Sequence, residues 1–265
     1  MDSVRLTERS SAAVAVTSWR DQLYLTWTGT DRHVNVAAVP DGREIRAKQR
    51  LPHQSYRRGD ENLVSLAPSL AASGEYLYLA WTADADRWVG RQPYVAIMAV
   101  ADSPDGAPVE VDEAKTRSAP ALCSHQGSLI VGWEDFPTST WFKWADWFKW
   151  ADCCVNILTG AGGPHGAPVR LDEAKTITGR NMGPWDSVDP CTGPALCSHQ
   201  DSLILAWRNE DRRLSILTDP EGPHDPPVQL DEATSWQAPA LCSHQGSLIL
   251  AWTSSDRRIN LTRLQ

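Results

Sequence analysis

The sequence predicts an all-β fold: a five-bladed β-propeller of four-stranded antiparallel blades, with the N-terminal strand closing the last blade. Three observations lead there. One segment recurs five times: PALCSHQGSLILAW at 239–252, PALCSHQDSLILAW at 194–207, PALCSHQGSLIVGW at 120–133, and the weaker copies PSLAASGEYLYLAW at 68–81 and VAVTSWRDQLYLTW at 14–27. Copies are followed by a polar turn, a short apolar strand, a Pro/Gly turn and a second apolar strand. Within these runs apolar residues alternate, which is the period of a half-buried strand. Four short strands repeated at roughly 40–50 residues make a propeller blade.

Labelled from the channel outward, PALCSH is strand A, SLILAW strand B, RRINL strand C and PVQLDEA strand D. The B–C turns read TGTDR after Trp27, RNEDR after Trp207 and TSSDR after Trp252. The C–D turns carry PDG at 40–42 and 104–106, GGPHG at 162–166 and PEG at 220–222. The blades then span 10–51, 65–112, 117–172, 192–231 and 236–265, and one domain covers 1–265. VRLTE at 4–8 resembles VRLDE at 169–173, so residues 1–9 are expected as the outermost strand of the last blade. Such closure protects edges that an open array would expose.

Of 265 residues, 13 are Trp but only 3 are Phe, so the tryptophans have a special placement. Hydrophobic and charged fractions of 42% and 22% suit a soluble globular chain. A net charge of −8 argues against a nucleic-acid partner, which would need clustered Lys and Arg. No apolar run is long enough for a transmembrane helix, and the N-terminus shows no secretory signal. Compartment is left open between the cytoplasm and export as a mature chain. Six cysteines are too few for a disulfide scaffold.

A residue repeated in several blades is most simply scaffold, whereas a residue unique to one blade needs another explanation. The pairs Asp31–Arg32, Asp211–Arg212 and Asp256–Arg257 recur in the B–C turns. They read as turn residues with a surface ion pair, or as a binding site with one copy per blade. The Asp-Glu pairs at 112–113, 172–173 and 231–232 read as turns ending strand D. His125, His199 and His244 recur at the A–B turn, where Ser73 and Trp19 stand in the other blades, so no metal site is expected. Cys123, Cys197 and Cys242 read as small buried apolar groups on strand A. No cofactor is expected.

The singular features are insertions at His53–Ala67, Thr82–Pro93, Glu134–Asp152 and Lys175–Gly193. All fall in B–C or D–A connections and therefore on one face, around blades 2 to 4. They hold Trp88, Trp141, Trp144, Trp147, Trp150 and Trp185, and Trp236 lies in a later connection on the same face. The run WFKWADWFKWAD at 141–152 fits a helix or a strand. Its aromatics either pack over the blades or wall a pocket, where Trp faces stack on sugar rings or cations. Glu134, Asp135, Asp186 and Asp189 are the candidate acid/base groups. No H-E-x-x-H, G-x-S-x-G, P-loop or G-x-G-x-x-G is present.

LYLTWTGTDRHVNV at 23–36 and LYLAWTADADRW at 77–88 resemble repeats of bacterial, actinobacterial-type β-propeller lectin-like proteins. The organisation also resembles the tachylectin-2 class of five-bladed propellers. The resemblance implies a carbohydrate-binding protein that contacts glycan through aromatic and Asp/Arg side chains: Trp88, Trp141, Trp144, Trp147, Trp185, Trp236 and the three Asp–Arg pairs. The uneven blades favour an alternative, an enzyme with one site at the propeller mouth, walled by the Trp-rich insertions. It would act on a glycan or an aromatic or terpenoid small molecule. A third reading uses the exposed tryptophans as anchors for a protein partner.

Overall fold

The computed structural model describes residues 8–40, 44–58, 63–83, 93–100, 107–135, 153–160, 167–176, 193–209, 211–221, 225–235, 237–244, 246–253 and 259–264. The repeat folds into five antiparallel blades, as the sequence predicts. Blade 1 is β1 (Ala15–Trp19), β2 (Gln22–Thr28), β3 (His33–Val39) and β4 (Arg46–Gln54). A hairpin of β5 (Tyr56–Arg58) and β6 (Leu63–Ser65) lies in the first insertion. Blade 2 is β7 (Ser69–Ser73), β8 (Tyr76–Ala83), β9 (Tyr94–Ala99) and β10 (Val109–Lys115). Blade 3 is β11 (Ala121–His125), β12 (Ser128–Glu134), β13 (Cys153–Thr159) and β14 (Val169–Thr176). Blade 4 is β15 (Ala195–His199), β16 (Ser202–Arg208), β17 (Arg213–Thr218) and β18 (Val228–Thr234). Blade 5 has three described strands, β19 (Ala240–His244), β20 (Ser247–Thr253) and β21 (Ile259–Leu264). The strand expected from residues 1–9 falls largely on 1–7, which lie outside the described residues, as does the run at 141–152.

The A–B hairpins of blades 1, 3 and 4 close through two-residue turns whose residues both take positive φ: Arg20 and Asp21, Gln126 and Gly127, Gln200 and Asp201. Turns of that hand match the right-handed twist of the strands they join. Trp19 is not in its turn but ends β1, buried against Tyr24 with the Arg20 guanidinium 4.2 Å over its ring.

The core lies between blades, and the repeated residues build it. Trp27, Trp81, Trp133 and Trp207 near the ends of their B strands are each at most 3% exposed. The Asp-Glu pairs do not end strand D, contrary to the sequence expectation. They form a bulge inside it, where pairing resumes three residues out of step between Val111 and Lys115. The same shift recurs in β14 and β18. A bulge turns selected side chains inward. Here it buries Ala114, Ala174 and Ala233 in the cores that hold the next blade's Trp133, Trp207 and Trp252. The repeat DEA is therefore the joint between consecutive blades.

The recurring histidines also bridge blades. His125 Nδ1 lies 2.9 Å from Ser198 Oγ, and His199 Nδ1 lies 2.8 Å from Ser243 Oγ. Gln126 and Gln200 donate across the same seams to the carbonyls of Asp201 and Gly246. The cysteines of strand A line up beside them. Burial, aided by the neighbouring Cys197, pushes the Cys123 thiol up to about 12, and burial also raises Cys197. Only the thiolate attacks electrophiles. At pH 8, iodoacetamide should therefore label exposed Cys242 and spare Cys123 and Cys197, as peptide mass spectrometry would read. Labelling of all three at equal rates would contradict this packing.

Among the described residues, no helix is long and apolar enough to cross a membrane.

Candidate active site on the insertion-bearing face

The residue after the repeated Trp shows how the two ends of the propeller ring differ. It is Thr28, Thr82 and Thr253 in blades 1, 2 and 5, but Glu134 in blade 3 and Arg208 in blade 4. Thr28 Oγ1 donates to the Leu66 carbonyl and Thr82 Oγ1 to the Ser118 carbonyl, both at 2.6 Å. Position B-end thus faces the connection to the next blade and ties it down. Glu134 and Arg208 occupy that place with 2% and 1% exposure. Burying a charge is costly unless charge or hydrogen bonds hold it. Two such residues, at equivalent points of neighbouring blades and nowhere else in the repeat, mark a site. Glu134 is among the carboxylates singled out from sequence; Arg208 is not, although its break with the Trp-Thr pattern was the available signal.

Asp135 has a different environment. Arg170 Nη1 donates to Asp135 Oδ2 at 2.9 Å while its Nε donates to Asp172 Oδ1 at 3.0 Å. The same guanidinium reaches Cys154 Sγ at 3.3 Å. Hydrogen bonding to Asp172 raises the Arg170 pKa further, so it stays a fixed cation. Successive strand residues face opposite sides. Asp135 sits with Arg170 on the Trp133 side, and Glu134 on the other.

The repeated Asp–Arg pairs shape turns. Arg32 and Arg212 both adopt left-handed φ, 67° and 64°, and their amides bond back to Gly29 and Asn209. Asp31 accepts from the His33 amide at 3.1 Å and from Arg50 Nε at 2.8 Å. The Arg50 bond holds the Asp31 carboxyl below its ordinary range. Asp211 is exposed in its turn. Asp256, Arg257, Asp186, Asp189, Trp88, Trp141, Trp144, Trp147, Trp150, Trp185 and Trp236 lie outside the described residues.

A cleft of about 410 Å³ opens between blades 1 and 2 on the same face. His53 and Gln54 come from the β4 bulge, Tyr56 from the first insertion, and Trp81, Tyr94 and Glu110 from blade 2. His53 stacks on Trp81 with ring centroids 5.0 Å apart. Burial pushes its pKa below the ordinary value, which favours the neutral ring. The folded protein then binds fewer protons than the unfolded chain near pH 6.5. Stability from this group is fully present above that pH and is lost as pH falls through it. The Tm of the wild type should therefore fall more between about pH 7.5 and 5.5 than that of His53→Gln. Equal slopes in calorimetry would contradict a neutral stacked His53.

No protein-family model and no curated protein matches this sequence. Solved structures resemble this chain in fold at low sequence identity. The GH43_1 enzyme from Xanthomonas citri complexed with xylotriose matches with a TM-score of 0.57 at 12% identity, over 95% of this chain and 86% of that one. A GH43 β-xylosidase/α-arabinofuranosidase from a compost metagenome gives 0.55 and 12%, over 95% and 90%. An α-L-arabinofuranosidase from Lactobacillus brevis gives 0.54 and 14%, over 97% and 90%. At these identities the likeness establishes the fold, a five-bladed β-propeller. These findings correct the lectin-like reading: the propellers this chain is similar to are glycoside hydrolases rather than lectins. The physical reason agrees, because the Asp–Arg pairs offered as repeated sugar contacts are turn residues in the two blades where they are described.

Proposed function

We propose that this propeller is an enzyme with one active site at the channel mouth, on the insertion-bearing face, and that it acts on a glycan. The observation that carries the reading is Glu134, a carboxylate 2% exposed and unique in the repeat, facing the connection to blade 4. Glycoside cleavage needs one carboxyl group to protonate the leaving oxygen and a second carboxylate as base or nucleophile. Glu134 is assigned the first role. Asp135 points to the opposite side and is held by Arg170, so it is not the partner. In sequence the connection to blade 4 carries Asp186 and Asp189, both outside the described residues, and we assign the second carboxylate to one of them. Trp141, Trp144, Trp147 and Trp185, which lie outside the described residues, are assigned sugar stacking in this reading. The similar propellers support a saccharide substrate, and their named activities make pentosides the first substrates to try.

Chromogenic β-xylosides and α-L-arabinofuranosides, then the matching hexosides, test the reading. Turnover of at least one, lost in Asp186→Asn or Asp189→Asn, is expected. Tight binding of these glycosides without bond cleavage would count against an enzyme.

A further inference from the structure

The cleft between blades 1 and 2 is a built feature with a traceable origin. In each sheet the repeated Trp of strand B has a cross-strand neighbour on strand C, and in blades 1 to 4 another follows on strand D. Blade 1 reads Trp27–Asn35–Arg50 and blade 3 reads Trp133–Asn156–Arg170. Blade 4 reads Trp207–Ser215–Gln229, and blade 5 places Asn260 beside Trp252. Blade 2 alone reads Trp81–Ala96–Glu110. Ala96 removes the polar side chain that stands next to the Trp in every other blade, and Glu110 adds the only carboxylate among the described residues of the row. The preceding blade departs as well. Blades 2 to 4 press a bulge alanine toward the next blade's Trp, but blade 1 presents His53, stacked on Trp81. Both substitutions fall on the same joint, and together they open the space.

The lining selects a ligand class. Tyr56, Tyr94 and the His53 ring offer flat apolar surface, while Gln54 and Glu110 offer polar groups at the rim. A wholly apolar ligand would cover these polar groups without replacing their bonds to water. An anionic ligand would meet Glu110 and a chain of net charge −8. The carboxylate already has a cation, Lys115 Nζ at 3.1 Å, which also lies 5.4 Å over the Tyr94 ring, so a ligand amine would have to displace it. What remains is an uncharged molecule with one apolar face and a hydroxyl rim, of the size of a sugar ring or two.

We propose that this cleft holds a neutral saccharide unit of the substrate chain, as a single positioning subsite separate from Glu134. The inference rests on the glycan-acting reading above. It assigns one site to one joint, not a site to each blade.

Ala96→Asn tests it by restoring the residue of blades 1, 3 and 5, which refills the cleft. The probes are xylotriose, maltotriose and, as charged control, trigalacturonic acid, titrated into ¹⁵N-labelled protein carrying Glu134→Gln. The Trp81 indole resonance should shift with a neutral trisaccharide, and Ala96→Asn should weaken that binding at least tenfold. Glu110→Gln should weaken it too, since a rim acceptor is lost. In the Glu134 background, Ala96→Asn should raise KM for trisaccharides with little change in kcat on an aryl monosaccharide. An unmoved Trp81 resonance, equal affinity in Ala96→Asn, or preference for trigalacturonic acid would each overturn the subsite. Cleft binding without cleavage by the wild type would defeat the catalytic reading alone. Cleavage without cleft binding would defeat the subsite alone.

Discussion

Trp133→Ala should lower the unfolding free energy by about 3–5 kcal/mol, the range for deleting a fully buried Trp. Trp133 is 1% exposed and shares its core with Val111 and Ala114 of blade 2 and Leu122, Leu129, Val131 and Leu158 of blade 3. Its removal leaves a cavity at the joint itself, lined by two blades that cannot collapse independently. Trp252→Ala should cost less, because Trp252 is only partly buried. Urea unfolding of both variants measures the difference. A loss below about 1 kcal/mol for Trp133→Ala would mean that the repeated Trp is not what joins the blades.

Glu134→Gln should lower turnover by about 10²–10⁴-fold, the usual contribution of a positioned proton donor. The variant also replaces a buried carboxyl group by an amide, which changes its hydrogen bonding and so affects stability. Glu134→Asp separates the two effects. It keeps the carboxyl group but withdraws it by one methylene, so the rate should fall while the Tm changes less than in Glu134→Gln. Asp135→Asn should lower the rate by less than Glu134→Gln does, since its work is the ion pair with Arg170.

Much of the fold was legible because a repeat reports its own constraints. The Trp at the end of each B strand, the A–B turn residues and the strand order could be read without coordinates. The bulge could not: DEA looks like a polar strand ending, and only the buried Ala114, Ala174 and Ala233 show why it recurs. The recurring histidines likewise have no local signal, because His125 and His199 bond serines one blade on. Glu134 was legible as an acidic residue opening an insertion. Arg208 and the cleft were not, since each is a departure visible only once equivalent positions are aligned by strand register. Ala96 in particular acts by what it lacks, and the importance of His53 depends on its contact with Trp81 in the next blade.

Whether one singular site on this repetitive scaffold cleaves glycans is decided by product analysis with NMR. Neutral oligosaccharides would be incubated with the wild-type protein and with Glu134→Asp at matched folded fractions. Shortened oligosaccharides are expected with the wild type, and at least a hundredfold slower release with Glu134→Asp. Unchanged oligosaccharides with the wild type, or equal release by the two proteins, would contradict it.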